Sequence, residues 1–592
     1  MEHIIFWVIL GSISLLGFLV SLMGVEHLIV SYMLMLISIV ILARFFTTLA
    51  RKRIVTVNLL MGVAGLVTWY IGAILEGFIV YVLYSISELI EFYAERYAKK
   101  KLVGLKELLP SKVPVLRNGL ISEEPLEEVK VGDVVLIRPG SAIPADSIII
   151  EGESAFDASY ITGESELKAL KRGDYVESGY VNKGELIKIR VIRSPKESLL
   201  QILVSEAKKA LAKKSKVQKF IEKFSQPYTL IVLGLFTLAA LTLSPYRALA
   251  ILLAGCPSAF IVSSATSTAL SIAILARKSI VVHGGVVLEK TAESEVLVLD
   301  KMGTITLGEL KVVRIMTNSK FTRDEVAKLA GGAAKASNHP VAKALAKLSD
   351  TVPSKAIEFP GKGVEAIVNG ARVLIGSREF FKGKGINMKA DVKCDMGERE
   401  VLVSVNGEFA GAICLGEKLS SEIRDVVSEL RKLKLKLIIA SGDIEDRVRK
   451  VAEFLGLKEY YANMKPHEKK LLIEMLKEKH KCVAMVGDGI NDVEALAEAD
   501  VGIAVGDLSV VSSVADIVLP KGILKLPEVF KTARKYVSSI YVSLATALVV
   551  KMSVMVAGLM GLLPLCVIVG IGDDGSTLIA LATIGAILFR KS

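Results

Sequence analysis

The stretch SEVLVLDKMGTIT (residues 294–306) joins a short apolar run to an aspartate, Asp300, at the end of that run. An apolar run of this length between polar residues is typical of a buried strand in a parallel sheet. KLKLIIASGD (residues 434–443) and CVAMVGDGIND (residues 482–492) have the same form. Because the carboxyl ends of parallel strands meet at one edge of the sheet, the polar residues at the three ends are predicted to share a crevice.

The residues at these strand ends are the types that phosphoryl transfer to a carboxylate requires. The reaction needs a nucleophile, a divalent cation that neutralises phosphate charge, and a cationic cradle. Asp300 is the predicted nucleophile, and Asp488 with Asp492 is predicted to hold Mg²⁺. Ser441 and Lys469 are predicted to lie near the phosphate. A single strand ending in aspartate is weak evidence, since such a residue often caps a helix.

The composition predicts a membrane protein, since 52% of the 592 residues are hydrophobic. Eight apolar segments are long enough to cross roughly 30 Å of hydrocarbon. They lie at about residues 4–23, 28–47, 55–72, 74–97, 226–243, 248–276, 536–560 and 565–589. The two long polar stretches between them are predicted to form folded domains.

Basic residues follow the predicted spans mainly on one side of the membrane. They are Arg51, Lys52, Arg53, residues 99–101, Arg277, Lys278, Arg590 and Lys591. The connections on the opposite side are short and nearly free of lysine and arginine. Because basic loops stay in the cytosol, both termini and both polar stretches are predicted to be cytosolic.

The net charge of +12 does not indicate nucleic-acid binding, because the basic residues are spread over helix ends and domain surfaces. No nucleic-acid partner is therefore expected. The five cysteines show no paired spacing. Neither a disulfide framework nor a metal module of the CxxC type is expected, and the cytosolic domains are expected to be reduced.

Four motifs, which follow one another along the chain in the order of that family, resemble those of the P-type ATPases. DKMGTIT (residues 300–306) is similar to the phosphorylation motif DKTGT, and GDGIND (residues 487–492) matches the hinge motif of that family. SGD (residues 441–443) and MKPHEK (residues 464–469) resemble the TGD and MxPxxK elements. The resemblance implies an ATPase that carries an aspartyl-phosphate on Asp300 and uses Mg²⁺ as its cofactor.

Two further regions extend this resemblance. SNHP (residues 337–340) and GKG (residues 361–363) are similar to the nucleotide-binding elements of the heavy-metal subfamily. The β-rich stretch around VKVGDVVLIRPGSAIPAD (residues 129–146), followed by TGES (residues 162–165), resembles the actuator domain. By this resemblance, Glu164 orients the water that hydrolyses the aspartyl-phosphate.

The resemblance assigns a role to each motif residue. The implied catalytic residues are Asp300, Lys301, Thr304, Glu164, Ser441 and Lys469. The implied nucleotide-binding residues are His339, Gly361 and Gly363. Mg²⁺ is assigned to Asp300, Met302 and Asp488, and the hinge is assigned to Asn491 and Asp492.

CPS (residues 256–258) interrupts the sixth predicted span. Pro257 has no backbone N–H, so it breaks the helix, and irregular backbone at membrane depth is tolerated where it lines a cavity. Cys256 and Ser258 are therefore candidate ligands of a transported cation. The motif resembles the CPC or SPC signature of the heavy-metal P-type ATPases.

Three charged residues are predicted inside the last two spans. Lys551, Asp573 and Asp574 lie about 11 residues from the turn near Leu562, hence roughly 16 Å deep. Charges at that depth are costly and usually functional. A lysine with an Asp-x-Gly element is similar to the zinc, cadmium and lead branch, and the copper-branch patterns Tyr-Asn and Met-x-x-Ser-Ser are missing. Ser258 offers a hard oxygen ligand where a second thiolate would be soft, so Co²⁺ is retained as a candidate.

These observations predict a multidomain membrane protein. Its parts are a transmembrane bundle of about eight helices, a β-rich actuator, an α/β haloacid-dehalogenase-like phosphorylation domain and an inserted α+β nucleotide-binding domain. Their predicted bounds are helices at residues 1–97, 226–277 and 536–592, actuator 98–225, phosphorylation domain 278–310 and 430–535, and nucleotide-binding domain 311–429.

The predicted function is ATP-driven export of a divalent transition metal by a monomer in the cell membrane, with a cytosolic metal donor allowed as a partner. Met302 replaces the family's threonine, whose hydroxyl is expected to contact the phosphate. Met302 and Ser258 leave open a catalytically weakened sensor or partner subunit. TITLGE (residues 304–309) leaves open a pump for another cation, such as potassium, and a copper pump is the remaining alternative.

Overall fold

The computed structural model describes two compact units, Met1–Glu293 with Glu528–Ser592, and Ser294–Pro527. The residues it leaves undescribed are 1, 24–26, 54, 104–108, 118–119, 159–166, 306–309, 338, 360, 388–393, 395–398, 418–420, 489–491, 507–514, 521 and 591–592.

The helices are numbered in chain order. They are α1 Glu2–Leu22, α2 His27–Lys52, α3 Asn58–Tyr70, α4 Ile74–Val103, α5 Leu199–Ala212, α6 Lys216–Thr242, α7 Pro245–Ala254, α8 Ser258–Ala276, α9 Gly285–Glu293, α10 Arg323–Ala334, α11 Pro340–Ala346, α12 Arg378–Gly383, α13 Ser421–Lys432, α14 Glu445–Leu455, α15 Pro466–Lys479, α16 Val493–Glu498, α17 Leu526–Leu559, α18 Leu565–Val569 and α19 Ser576–Phe589. A short π-helical segment, Gly570–Gly575, joins α18 to α19.

The strands are numbered in the same way. They are β1 Lys112–Arg117, β2 Leu120–Pro125, β3 Val134–Ile137, β4 Ser147–Glu151, β5 Ser154–Asp157, β6 Leu167–Leu170, β7 Tyr175–Val176, β8 Val181–Asn182, β9 Ile187–Val191, β10 Val281–Val282, β11 Val296–Asp300, β12 Leu310–Thr317, β13 Lys355–Phe359, β14 Gly363–Val368, β15 Ala371–Gly376, β16 Arg399–Val405, β17 Glu408–Glu417, β18 Lys436–Ala440, β19 Glu459–Tyr461, β20 Val483–Gly487, β21 Val501–Val505 and β22 Ile517–Leu519.

The first unit contains the apolar helices. Six helical segments of the described chain are long and apolar enough to cross a membrane: Ile4–Leu22, Leu28–Arg51, Leu200–Thr242, Pro245–Ala276, Ile523–Leu559 and Leu565–Phe589. Helices also occupy the third and fourth predicted spans, but α3 has only 13 residues and α4 includes Glu88 and Glu91. The count of eight spans stays a prediction.

A β-rich part of the same unit lies between α4 and α5, as the sequence predicted. One sheet has the strand order β2-β1-β3-β9-β4-β7, and a smaller sheet has the order β6-β5-β8. Buried Asp146, just before β4, accepts a hydrogen bond from the Ser178 N–H at 2.9 Å. Glu164 and the rest of the TGES motif lie outside the described residues.

The second unit is built on a parallel sheet with β11 between β18 and β20. Strand β19 pairs in parallel with β18, and β21 and β22 continue the sheet beyond β20. All five residues of β11 are buried, which explains the unbroken apolar run before Asp300. The three strands predicted from their apolar runs are therefore confirmed, and their carboxyl ends lie at one edge.

An antiparallel sheet, in the order β12-β17-β16-β15-β14-β13, is inserted between β11 and β18. Its core includes Val326 and Leu345, from α10 and α11, and Val373 and Ile413, from β15 and β17. This agrees with the predicted α+β insertion.

One expectation about the cysteines is wrong. Cys394 and Cys414 form a disulfide with an S–S distance of 1.99 Å. Cys414 lies on β17, and the chain that contains Cys394 leads into β16, which pairs with β17. The pairing of β16 with β17 brings the two cysteines together. Their separation of 20 residues in the sequence gave no sign of that contact.

Candidate functional site

Asp300, at the carboxyl end of β11, shares a lysine with a second aspartate. The Lys469 ammonium donates to Asp300 Oδ1 at 2.5 Å and to Asp492 Oδ1 at 2.7 Å. All three side chains are buried. The structure therefore brings together the predicted nucleophile, the predicted phosphate-binding lysine and one of the two predicted hinge residues.

The start of α15 explains how Lys469 reaches this position. Pro466 occupies the first turn, where its missing N–H costs nothing. The Glu468 carboxylate accepts a hydrogen bond from the Lys465 N–H at 2.7 Å. The proline and this hydrogen bond fix the first helical turn. Lys469 lies on the buried face of the helix, which is directed towards β11.

The shared lysine compensates for two buried carboxylates. Burial, together with the neighbouring Asp492 carboxylate, raises the pKa of Asp300 to about 7, against the opposing effect of Lys469. Burial likewise raises the pKa of Asp492. Burial opposes the charge on Lys469, but the two aspartates outweigh it and raise the Lys469 pKa. Without the lysine, one carboxylate would have to take up a proton.

Lys301 lies beside the nucleophile but contacts a different aspartate. Its ammonium is 2.7 Å from Asp443 Oδ2, and the Asp443 N–H donates to the Ser441 hydroxyl at 3.2 Å. Burial disfavours the Asp443 carboxylate, yet Lys301 holds the pKa of that group below its ordinary value. Sequence reasoning did not assign Asp443 this partner, although the SGD motif contained it.

The residues around Asp300 fit a Mg²⁺ ion, which prefers oxygen ligands. Asp488 lies close to Gly303, where an added Cβ would stand 3.1 Å from the Asp488 Cβ, and Gly303 has a φ of +72°. Thr304 Oγ1 and Asp492 Oδ2 are buried and have no hydrogen-bond partner in the described part of the chain. The described residues contain no cluster of three or more His, Cys, Asp or Glu side chains arranged as a metal site. The assignment to Asp300, Asp488 and the Met302 carbonyl therefore stays a prediction.

A cavity of about 450 Å³ in the inserted domain holds the predicted nucleotide-binding residues. His339, Gly361 and Gly363 all line it. Gly361 has a φ of +70°, and a Cβ on Gly363 would lie 2.2 Å from the Ile375 carbonyl oxygen. A side chain would be strained at Gly361 and would collide with the main chain at Gly363. At these two positions the wall of the cavity is therefore formed by the main chain.

His339 has a structural task in addition to its position in the cavity wall. It caps α11, with Nδ1 accepting a hydrogen bond from the Val341 N–H at 3.3 Å. In the neutral ring the proton then lies on Nε2, which becomes a donor. Nearby, the Ser337 hydroxyl donates to Glu358 at 2.6 Å, and Glu358 also lines the cavity.

Arg447 links this cavity to the strand ends. It lines the cavity, and its guanidinium lies 3.3 Å from Asp443 Oδ1. Its buried Nε has no partner among the described residues. Asp443 thus pairs with Lys301 on one side and with Arg447 on the other. Sequence reasoning missed Arg447, because nothing in the spacing shows that α14 borders the inserted domain.

A second charged cluster lies among the apolar helices of the first unit. Lys551, in α17, donates to Asp573 Oδ1 at 2.9 Å, and both side chains are at most 2% exposed. The Ser258 hydroxyl donates to the same oxygen at 3.2 Å. Residues that are 315 positions apart in the chain thus share one carboxylate.

The remaining predicted ligands divide into two groups. The fully buried Cys256 thiol lies beside Ser258, in the break between α7 and α8. Asp574 instead faces Ser87 of α4, and its Oδ1 has no partner within the described residues. The structure therefore brings Cys256, Ser258, Lys551 and Asp573 together, and directs Asp574 elsewhere.

Glu91 is a member of this cluster that the sequence reasoning missed. Its carboxylate is hydrogen-bonded to Ser258 and lies within electrostatic range of Asp573 and Lys551. Glu88, one turn earlier on α4, accepts a hydrogen bond from the Tyr84 hydroxyl at 3.1 Å. Two acidic residues three positions apart in an apolar helix were a visible signal, since charge at that depth is usually functional.

Comparison with known proteins agrees with this geometry. Residues 295–500 match the haloacid dehalogenase-like hydrolase family. Residues 107–208 match the P-type ATPase actuator domain. A haloacid dehalogenase-like sheet with an aspartate at the end of its central strand, an actuator domain and apolar helices together define a membrane protein of the P-type ATPase class.

Relatives cover most of the chain. The zinc-transporting ATPase of Synechocystis sp. is 30% identical over 555 residues, which span 90% of this chain and 76% of that relative. The copper-exporting P-type ATPase B of Archaeoglobus fulgidus is 32% identical over 445 residues, which span 71% of this chain and 64% of that relative. The crystal structure of a zinc-transporting PIB-type ATPase in the E2.Pi state superposes with a TM-score of 0.62 at 27% identity and covers 99% of both chains. The chain therefore belongs to the P-type ATPases, in their heavy-metal-transporting (type 1B) subfamily.

Replacing Lys469 tests its role between the two carboxylates. We expect Lys469→Met to slow formation of the phosphoenzyme from labelled ATP by about 10² to 10³-fold, because the site loses its preorganised cation. Lys470→Met is the matched control, since Lys470 lies on the same helix, is 41% exposed and faces Glu474. Equal rates for the two variants would contradict the assignment.

The raised pKa of Asp300 predicts a pH-dependent stability. The pKa is about 7 in the folded chain and about 3.9 in an unfolded chain. The neutral carboxyl therefore stabilises the fold at low pH, and this contribution is lost as the pH rises through about 7. We expect Asp300→Asn to raise the melting temperature by several degrees near pH 8 and by little near pH 5, measured by intrinsic fluorescence. Asp446→Asn is the control, because the Asp446 side chain is 38% exposed and lies outside the Asp300 cluster. A shift that does not depend on pH would refute the prediction.

Proposed function

We propose that this protein uses ATP to export a divalent transition metal from the cytosol, with Zn²⁺ or Cd²⁺ as the leading cargo and Co²⁺ as a further candidate. The observation that carries the proposal is the buried cluster of Cys256, Ser258, Lys551 and Asp573 at a break in an apolar helix. Several relatives are named as zinc and cadmium transporters, which supports the proposal.

The chemistry of the cluster suits a borderline divalent ion. A thiolate and a carboxylate are both ligands of Zn²⁺, and Ser258 adds a harder oxygen. Without cargo, Asp573 needs a positive partner, because an unpaired carboxylate among apolar helices is costly. Lys551 supplies that charge at 2.9 Å. A divalent ion that binds Asp573 replaces the lysine as its partner, and the lysine in turn favours release of the ion.

Phosphoryl transfer follows from the position of Asp300. Its carboxylate oxygen attacks the γ-phosphorus of ATP, an O–P bond forms, and the bond to the β-phosphate oxygen breaks as ADP leaves. Lys469 and the Ser441 hydroxyl are placed to stabilise the negative charge of the phosphoryl oxygens. Asp300, Asp488 and the Met302 carbonyl would hold Mg²⁺, which would supply positive charge to neutralise the phosphate. Lys301 holds the loop after β11 through Asp443.

Hydrolysis then returns Asp300 to its free form. Water attacks the phosphorus of the aspartyl-phosphate, the bond to Asp300 breaks, and inorganic phosphate leaves. Glu164 is the residue proposed to orient this water. We assign the protein to the cell membrane as a monomer with its actuator, phosphorylation and nucleotide-binding domains in the cytosol. A cytosolic metal donor remains an allowed partner.

The first experiment is ATP hydrolysis by the purified, lipid-reconstituted protein with Zn²⁺, Cd²⁺, Co²⁺, Cu⁺ or K⁺. We expect stimulation by Zn²⁺ or Cd²⁺ and none in Asp300→Asn, which has no nucleophile. Asp573→Asn should weaken the apparent affinity for the stimulating ion about 10²-fold, since removing one partner from a buried charged cluster costs about 3 kcal/mol. Asp574→Asn should have a smaller effect, because that carboxylate faces Ser87.

Other outcomes of the same experiment distinguish the alternatives. Stimulation by Cu⁺ or K⁺ alone would mean that the cargo is that ion rather than Zn²⁺ or Cd²⁺. The assignment as a cation-transporting ATPase would stand. If ATP binds but no ion stimulates its hydrolysis, the catalytically weakened sensor becomes the better description.

Met302 provides a separate test of the phosphorylation site. We expect Met302→Thr to form the phosphoenzyme faster, by up to about 10² to 10³-fold, because the substitution restores one hydroxyl donor near the phosphate. Met302→Leu is the matched control, since it keeps an apolar side chain of similar size. A rate equal to that of the parent would mean that another donor compensates, and the buried hydroxyl of Thr304 would be the first candidate.

A further inference from the structure

A cavity of about 700 Å³ lies in the helical unit, apart from the nucleotide cavity. Residues of α1, α2, α4 and α6 line it, and it extends to Pro257 at the helix break. Four basic side chains surround it: Arg44, Lys214, Lys219 and Lys223. Only two acidic side chains, Glu88 and Glu222, line the same space. The wall of the cavity is therefore net positive.

Most of these charges already have a neighbour, but two do not. Lys214 pairs with Glu222 at 2.7 Å, and Arg44 stacks over the Phe6 ring at 4.0 Å from its centroid. Lys219 and Lys223 have no ion pair among the residues that the structure describes. They stand four residues apart on α6, so both ammonium groups lie on one face of that helix. Two adjacent unpaired cations bordering a cavity favour an anionic ligand.

An aromatic row runs along α6 beside these lysines. The Phe220 and Phe224 rings stack at a centroid distance of 5.8 Å, and Tyr228 continues the row 6.0 Å further on. Phe220 is 66% exposed and Phe224 is 49% exposed. The row begins next to Lys219 and leads into the apolar part of the helix. Aromatic side chains in this position are typical of the boundary between lipid headgroups and acyl chains.

We propose that this cavity binds the phosphate of an anionic phospholipid, with an acyl chain lying against the Phe220, Phe224 and Tyr228 row. Lys219 and Lys223 contact the phosphate, and the Gln226 and Asn58 amides offer further hydrogen bonds from the cavity wall. Basic pockets between helices on the cytosolic side of a membrane bind such headgroups. The adjoining aromatic row favours a lipid over free phosphate, which has no apolar part.

The proposed phosphate ligands are not members of the cargo cluster, which the cavity meets at Pro257. Two unpaired lysines repel a bare divalent cation, so this face of the cavity does not suit the transported metal. The proposal stands whichever cation the protein carries.

The test measures lipid binding directly. The purified full-length protein is titrated with phosphatidylglycerol and, separately, with phosphatidylcholine, and bound lipid is counted by native mass spectrometry. We expect the wild type to prefer phosphatidylglycerol and Lys219→Gln/Lys223→Gln to bind it about 30-fold more weakly, at about 1 kcal/mol per lysine. Lys219→Arg/Lys223→Arg should retain binding. Arg51→Gln/Arg53→Gln, which removes the same charge at the end of α2 outside the cavity, should also retain it.

Three outcomes would overturn the proposal. An equal loss in the Arg51→Gln/Arg53→Gln control would mean general surface attraction. Competition by inorganic phosphate or glycerol phosphate at the affinity of the lipid would mean a free-phosphate site. No preference between the two lipids would mean no site for an anionic headgroup.

A second measurement needs no substitution at the lysines, so it decides the matter even if the double variant fails to fold. Trp7 lines the cavity, and the chain has only one other tryptophan, Trp69. In Trp69→Phe, brominated phosphatidylglycerol should quench the Trp7 fluorescence more strongly than brominated phosphatidylcholine does. Equal quenching by the two lipids would count against the site.

Discussion

The sharing of Lys469 between Asp300 and Asp492 is the interaction on which the second unit depends. Asp300 lies at the end of β11, Asp492 lies at the start of α16, and both carboxylates are buried. The Lys469 ammonium, at 2.5 Å and 2.7 Å from the two oxygens, stabilises both carboxylates. The pKa of Asp300 is still raised, so the compensation is incomplete. An incompletely compensated carboxylate is ready for a ligand that brings cations with it, which is how ATP arrives.

The helical unit uses a similar arrangement in a less polar setting. Lys551 and Asp573 form a buried pair, with Ser258 as a third member. In both units a lysine offsets a carboxylate that would otherwise be left alone, and in both the carboxylate is the group proposed to react or to bind. The two sites differ in their surroundings. Asp300 lies at the carboxyl end of a parallel strand, whereas the break at Pro257 interrupts an otherwise continuous helix beside Asp573.

Much of this could be predicted from local patterns. Unbroken apolar runs before Asp300 and Ser441 indicated buried strands, and Pro257 indicated a broken helix. What escaped prediction depends on distant contacts. The pairing of Cys394 with Cys414 follows from sheet pairing, and the contact between Arg447 and Asp443 follows from the packing of α14. Asp574 points away from Asp573 because consecutive residues of any helix project in different directions around its axis, so only one of the two can face Lys551.

Arg447 is common to the wall of the nucleotide cavity and to the carboxylate at the end of β18. Its guanidinium borders the nucleotide cavity and also holds Asp443, which in turn holds Lys301 beside the nucleophile. Its Nε has no hydrogen-bond partner within the described residues, so the guanidinium keeps a donor for a ligand in the cavity while it stays paired with Asp443. The cavity wall and the end of the central strand are thus joined through a single side chain.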